Sequence, residues 1–448
     1  MYIQNRDGLV SHGYRKGREA VADIVEHALE AVDPYRATRE LVELEQGILS
    51  IGHLSYDLSR RGNLYLLGMG KATFPIARAL EEILGDHITE GLIIVKEGQK
   101  HSLQRVKMRE ASHPLPDRRG YAAAQEVKAI AEKAREGDIV ICAITGGSSA
   151  LAPLPISGVS LEEKREVHRL LLHCGATIRE INAVRKHLSL IKGGNLALSV
   201  FPAELVNLTV SDVTDDPLDY ITGPTVPDTS TFQDAIQVLM KYGLQEKVPA
   251  SALDYLRHAS PEMENPRDFG DMPAHTFILV KSGAVCEAAS ARAAQLGFAS
   301  MILTMTLEGE SRDAGTEFAR MASEIESSGK PLTSPCVVVA GGETTVTIHD
   351  QCGQGGPNQE FALSAALDLD GENIVVAGID TDGTDGPTDV AGGIVDASTR
   401  RRAEQKGVDL PLHLAHHNSL PALRELNEAV VTGHTGTNVN DLKLLLVG

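Results

Sequence analysis

Short apolar runs alternate with helical patterns along most of this chain, and that alternation restricts the fold more than any other feature. "NLYLLG" (63–68), "GLIIVK" (91–96), "DIVICAIT" (138–145) and "VNLTVSDV" (206–213) are apolar, and the last three are rich in β-branched residues. Between the first three lie "KATFPIARALEEIL" and "AAAQEVKAIAEKA", whose apolar residues recur at helical spacing. Strands apolar on both faces and separated by helices indicate βαβ units around a covered parallel sheet. Residues 17–50 also carry helix-like spacing and contain Pro34. The stretch 257–273, "RHASPEMENPRDFGDMP", is polar with three prolines and reads as a linker. The pattern then restarts with "HTFILV", "SMILTMT", "PCVVVAGG", "TTVTI" and "NIVVAGID". The expected architecture is therefore α/β with two domains, each a largely parallel sheet flanked by helices. An N-terminal Rossmann-like domain would cover 1–256 and a C-terminal α/β domain 274–448. A length of 448 residues also favours two cores over one.

Charge narrows the partners. A formal net charge of -19 argues against a nucleic-acid backbone or an anionic membrane surface as the main partner. Anionic small molecules are not excluded, but they need a cationic pocket inside an acidic envelope, which makes ordered basic motifs informative. The five cysteines (Cys142, Cys174, Cys286, Cys336, Cys352) form no CxxC pair, and two sit in apolar runs, which suits a reduced, cytoplasmic setting. No apolar stretch approaches the ~20 residues that span a bilayer.

Ligands in open α/β sheets collect beyond the carboxyl ends of strands. Five strong strands here are followed by glycine, hydroxyl or acidic residues: "MGKAT", "TGGSSALAPLP", "SDVTDDPLDYITGPTVPD", "GGETT" and "GIDTDGTDGPTD". In "GMGKAT" Gly70 lets backbone N–H groups approach an anion at a helix start, with Lys71 as a point charge. The same letters also read as a tight βα turn with a solvated lysine, and Thr73 fills the third glycine position of a dinucleotide fingerprint. Gly146, Gly147, Ser148 and Ser149 of "TGGSSAL" offer N–H and O–H donors to phosphate or carboxylate oxygens, or else a glycine turn with a serine cap.

"INAVRKHLSLIKGG" (181–194) sets Ile181, Val184, Leu188 and Ile191 on one helical stripe, ended by Gly193 and Gly194. Asn182, Arg185, Lys186, Ser189 and Lys192 share the other face. A basic face is usually solvated, but in so acidic a chain it suits an anionic ligand, and Arg185 has the bidentate geometry for a carboxylate. Asp212, directly after its strand, is the best candidate metal ligand in a segment that also holds Asp215, Asp216, Asp219 and Asp228. "GIDTDGTDGPTD" fails the calcium-loop pattern, since Asp385 stands where glycine is required and Ala391 where glutamate is. Asp382 and Asp385 remain candidates for a hard cation completed by phosphate, for substrate contact, or for a plain solvated turn. There is no GxSxG, no HExxH and no His/Cys metal spacing.

Taken together these motifs resemble the glycerate 2-kinase family, whose members carry a so-called MOFRL domain at the C-terminus. The resemblance also runs through "SHPLPD", "NAVRKHLSLIKGG", "GGETTVTI", "GGPNQEFALSAAL", "GIDTDGTDGPTDVAGGIVD" and "TGHTGTNVNDL". It implies an active site in a cleft between two α/β domains and transfer of the ATP γ-phosphoryl group to the 2-hydroxyl of D-glycerate with Mg²⁺. By that resemblance Lys71 is catalytic, with Arg185 and Asp212 beside it. Lys192 and the loops carrying Gly342, Glu343, Asn358, Glu360, Thr435 and Asn438 line the substrate or nucleotide. Asp212, Asp382 and Asp385 would hold Mg²⁺ or orient the hydroxyl. The expected partners are D-glycerate and ATP, with a homodimer allowed. Some members carry an arginine where this chain has Pro357, and others where it has Gln354. Its role must then pass to another cation, or the activity differs. The rivals are a nicotinamide-dependent hydroxypyruvate reductase and a non-catalytic sugar-acid sensor.

Overall fold

The six residues of strand β4 (Leu64–Met69) are all buried, and the first sheet is built outward from this strand and β7 (Ile139–Ile144). The computed structural model describes residues 1–99, 101–211, 223–348 and 352–448. The chain divides into two compact units, one of Pro34–Val280 and one that joins Met1–Asp33 to Lys281–Gly448.

In the first unit a meander of β1 (Val42–Glu45), β2 (Ile48–Ile51) and β3 (Leu54–Asp57) precedes a six-stranded sheet. The sheet order is β6 (Val106–Ala111), β5 (Glu90–Lys96), β4, β7, β8 (Glu204–Ser211) and β9 (Ala274–Lys281). The pairings β6–β5, β5–β4, β4–β7 and β7–β8 are all parallel. Leu67, Met69, Val140 and Cys142 pack on one face against Ala123, Val127 and Ile130 of the helix Arg118–Ala131. A second apolar core lies among helices Leu161–Leu172, Ile178–His187, Phe232–Lys241 and Ala250–His258, where Val167, Leu171, Val184, Phe232 and Leu239 meet. Three of these helices open with full capping boxes, Ser160 with Glu163, Thr177 with Glu180 and Thr231 with Asp234, which fix where each begins.

The second unit orders its six strands β10 (Ala299–Leu307), β11 (Cys336–Gly342), β15 (Asp441–Val447), β12 (Ile374–Asp380), β13 (Gly392–Asp396) and β14 (Ala429–Val430). Only β10–β11 is parallel; the other four pairings are antiparallel. The α/β class stands, but this sheet is mixed rather than largely parallel. The last strand, β15, inserts antiparallel between β11 and β12, and a strand buried on both faces reads the same in either direction. Beneath the sheet, the helix Pro357–Asp368 is buried from Asn358 to Ala366, so it shows no amphipathic pattern.

The domain boundaries differ from those the sequence suggests. The first long helix, Arg15–Ala31, is part of the second unit, where its Arg18 is fully buried and bonds Asp396 (2.5 Å) and Glu428 (3.0 Å). The stretch 257–273 is fastened to the first unit. Asn265 donates to Asp228 (2.8 Å), and the Asp228 N–H donates to the Pro266 carbonyl (2.9 Å). Its prolines shape a tethered loop that leads into β9, not a linker.

Candidate functional site

β4 and β7 run level, Met69 beside Ile144, so their loops emerge together. Gly70 has φ +140°, and a Cβ there would lie 2.0 Å from Thr145 Oγ1. Only glycine lets the two loops interlock. The Lys71 N–H donates to the Gly146 carbonyl (2.9 Å), and the Ala72 N–H donates to Thr145 Oγ1 (3.1 Å). Thr73, in the third fingerprint position, is buried and donates to the Ala143 carbonyl (3.2 Å). A Cβ on Gly147 would sit 3.1 Å from Lys71 Cγ and 3.3 Å from His113 Cδ2. The structure therefore brings Gly70, Lys71, Gly146, Gly147 and His113 into one glycine-lined corner. Ser148 starts the short helix beyond it, and its hydroxyl is buried with no hydrogen-bond partner.

Basic side chains gather beside this corner. Lys192 Nζ donates to Ser149 Oγ (2.5 Å), joining the basic motif to the glycine loop. Arg185 donates from Nη2 to His168 and from Nη1 to Asn182 Oδ1 (3.4 Å). Lys164 Nζ donates to the Leu188 carbonyl (2.6 Å). Among the described residues no carboxylate pairs with Lys164, Arg185 or Lys192, whereas Lys186 is paired with Asp228 at 2.5 Å. Burial pushes the Lys164 amine down to about 7, assisted by Arg185. Burial and then Arg185, Lys164 and Lys192 push His168 down to about 2, so it is neutral and accepts from Arg185. Burial lowers Arg185 to about 10. Lys192 falls well below the usual lysine range through burial and the neighbouring Arg185, Lys164 and Lys186.

This arrangement departs from the expected helix. The helix ends at His187, so Lys192 lies in the turn beyond it, and Gly194 (φ 82°) begins the next helix rather than closing this one. Asn182 and Lys186 are buried, not solvated. Sequence reasoning missed Lys164 and His168 altogether. Their signal was available: they interrupt the apolar stripe of Leu161, Val167 and Leu171 with basic groups four residues apart, on one helix face.

In the second unit the register sets Gly342, Asp441 and Asp380 side by side across β11, β15 and β12. Gly342 has φ +136°, a Cβ there would lie 2.2 Å from the Leu307 nitrogen, and the exposed Glu343 comes next. Thr435 donates through Oγ1 to the Thr381 carbonyl (2.5 Å), and its N–H donates to the Asp382 carbonyl (3.2 Å). The loop from Thr432 to Asn440, which includes Asn438, is thus laced to the acidic loop.

The aspartates of that acidic loop already have donors. Asp380 accepts from the Asp382 N–H (2.9 Å), and Asp382 accepts from the Thr384 N–H (2.8 Å) and hydroxyl (2.6 Å). Asp385 is buried. One of its oxygens accepts from the Asn358 N–H (3.0 Å) and Nδ2 (3.2 Å), the other from the Gln359 N–H and Nε2 (both 2.9 Å). It anchors the first turn of the helix Pro357–Asp368, and four donors leave no lone pair for a metal. Asn358 is likewise engaged, donating to Asp441 (2.8 Å) and accepting from Lys443 (3.3 Å). Glu360 is buried and pairs with Arg312 (2.8 Å) and His417 (3.0 Å). Among the described residues no group of three or more His, Cys, Asp or Glu side chains could hold a metal. Asp212, with Asp215, Asp216 and Asp219, lies outside the described residues.

Fold and site together define an α/β protein with a glycine-lined corner and a group of basic side chains at the carboxyl edge of a parallel sheet. Residues 20–257 match a family model described as a domain of unknown function (DUF4147), and 336–441 match the MOFRL family. A glycerate 2-kinase of Pyrococcus horikoshii is 42% identical, covering 96% of this chain and 97% of that relative. A D-glycerate 2-kinase of Thermotoga maritima is 39% identical, covering 96% and 98%. A crystal structure of a Thermotoga maritima glycerate kinase superposes with a TM-score of 0.80 at 37% identity, over 96% of this chain and 99% of that one. The chain belongs to the glycerate 2-kinase family. Among the described residues no helix is long and apolar enough to cross a membrane.

Proposed function

We propose that the protein transfers the γ-phosphoryl group of ATP to the 2-hydroxyl of D-glycerate, giving 2-phosphoglycerate and ADP. The observation that carries this is a set of basic side chains, Lys164 and Lys192 buried and Arg185 half-buried, with no carboxylate partner among the described residues, set against a glycine-lined loop that bears Lys71. Buried charge without a counter-ion is costly, so the arrangement supports a ligand that brings negative charge. Arg185 and Lys192 would hold the glycerate carboxylate, with Ser149 bridging to the loop. Lys71, with the N–H groups of Gly146 and Gly147, would face the transferring phosphoryl group. Gly342, Glu343, Thr435 and Asn438 would serve the nucleotide.

Phosphoryl transfer demands alignment and charge neutralisation more than covalent chemistry, and these residues supply both. Mg²⁺ enters this reading with the nucleotide, held mainly by phosphate oxygens and water, and when bound it neutralises phosphate charge. The described acids do not build a cage for it. Free cysteines and net acidity suit a cytoplasmic setting.

The test is a coupled assay of the purified protein with ATP, Mg²⁺ and D-glycerate, in which phosphorus NMR identifies the product. Formation of 2-phosphoglycerate is expected. No glycerate-dependent release of ADP, together with hydroxypyruvate-dependent loss of absorbance at 340 nm from NADH or NADPH, would overturn the reading in favour of the reductase.

A further inference from the structure

Lys164 and Lys192 are 7% and 4% exposed, and His168 between them is 5% exposed. They come from three separate places: Lys164 and His168 from the helix Leu161–Leu172, Arg185 from the helix Ile178–His187, and Lys192 from the turn beyond. Among the described residues these three basic side chains have only neutral acceptors (a carbonyl, two serine or amide oxygens, an imidazole), and they lie close enough to act on one another. His113 also acts on His168, and Lys186 acts on Lys192. Asp228 does not offset them, since it bonds Lys186, Ser230 and Asn265. Arg185 stays charged at any working pH. Two more ammonium groups cannot stay buried beside it unless an anion is present.

We propose that these groups form one carboxylate-binding site that takes up a proton as it fills, and that the Lys164–Lys192 pair receives it. This rests on the reading of the pocket as the hydroxy-acid site. The empty site holds the pair partly neutral. The arriving carboxylate supplies the missing charge, raises the affinity of both amines for protons, and converts an amine into an ammonium that binds the ligand in turn. The direction agrees with the depressed lysines, with Lys164 at about 7. Because the complex holds more protons than the free protein, linkage makes affinity fall as pH rises above about 7, by up to about tenfold per pH unit for one proton.

The test is isothermal titration of the full chain with D-glycerate at pH 8, in two phosphate-free buffers of different ionisation enthalpy, and again at pH 6. Buffer-dependent heat corresponding to about one proton or more at pH 8, fading toward pH 6, is expected. Lys164→Met should weaken glycerate binding and reduce that uptake. Binding with no buffer dependence at pH 8 overturns the proposal while leaving the kinase reading intact, because turnover in the coupled assay would be unaffected. Unchanged uptake in folded Lys164→Met removes Lys164 from the pair. If that variant does not fold, the wild-type pH series decides. Inorganic phosphate is the second arm: proton uptake with phosphate but not with glycerate would assign the pocket to a phosphoryl group, overturning the carboxylate reading. Binding of neither overturns the site.

Discussion

The two units carry opposite kinds of polar cluster. In the first, Lys164 and Lys192 are buried and Arg185 is half-buried, with no acid paired to them among the described residues. In the second, Asp382 and Asp385 are buried and Asp380 is half-buried, but each accepts hydrogen bonds from its own loop or from the helix it anchors. By sequence the acidic loop is the more conspicuous, with four aspartates in twelve residues. In three dimensions its aspartates are largely held by donors of their own loop and of the helix Pro357–Asp368, whereas the basic side chains have no acid partner among the described residues. What separates them is not charge density but whether the protein already satisfies the charge.

The largest expected effect falls on the glycine corner. Lys71→Ala should lower turnover by about 10²–10³-fold or more, in line with the loss of one preorganised electrostatic group. Circular dichroism should show an unchanged fold, and near-normal turnover by a folded variant would remove Lys71 from the chemistry. On the other side of the comparison, Asp385→Ala should destabilise the protein by about 3 kcal/mol, because it strands buried donors at a helix start. Denaturant melts would read that loss. An unchanged midpoint combined with a raised Mg²⁺ requirement would restore the metal role for Asp385. Arg185→Ala should raise the KM for glycerate by about 10–100-fold, the loss of one charge-assisted contact of about 1.5–3 kcal/mol, with a smaller change in kcat. A change confined to the KM for ATP would move Arg185 to the nucleotide. The smallest effect belongs to Asp389→Ala. Asp389 is exposed and bonds the exposed Arg424, so its loss should change stability by less than about 0.5 kcal/mol.

Much of the first unit is legible in the sequence because parallel strands buried on both faces give continuous apolar runs, and "NLYLLG", "GLIIVK" and "DIVICAIT" each contain or overlap a central strand. The glycine loops are legible for the same reason, since each begins where such a run stops and the strand ends. The mixed second sheet was hidden, because burial on both faces erases the alternation that marks antiparallel pairing. Helix ends were also obscured. Leu188 and Ile191 continue the stripe of 181–184, yet the helix stops at His187, and Ser189 and Lys192 form a turn stabilised by their own hydrogen bonds. Lys164 and His168 went unnoticed because each reads as a charged residue on an amphipathic helix until their position on the buried face is taken into account.

The pairing of Arg18 with Asp396 and Glu428 has a consequence for synthesis. A ribosome makes the helix Arg15–Ala31 long before the strands it packs with. Until Asp396 and Glu428 have been added, Arg18 lacks the carboxylates that pair with it. The helix and these strands therefore mature together, and a fragment that begins at Lys281 would leave Asp396 and Glu428 without their guanidinium partner.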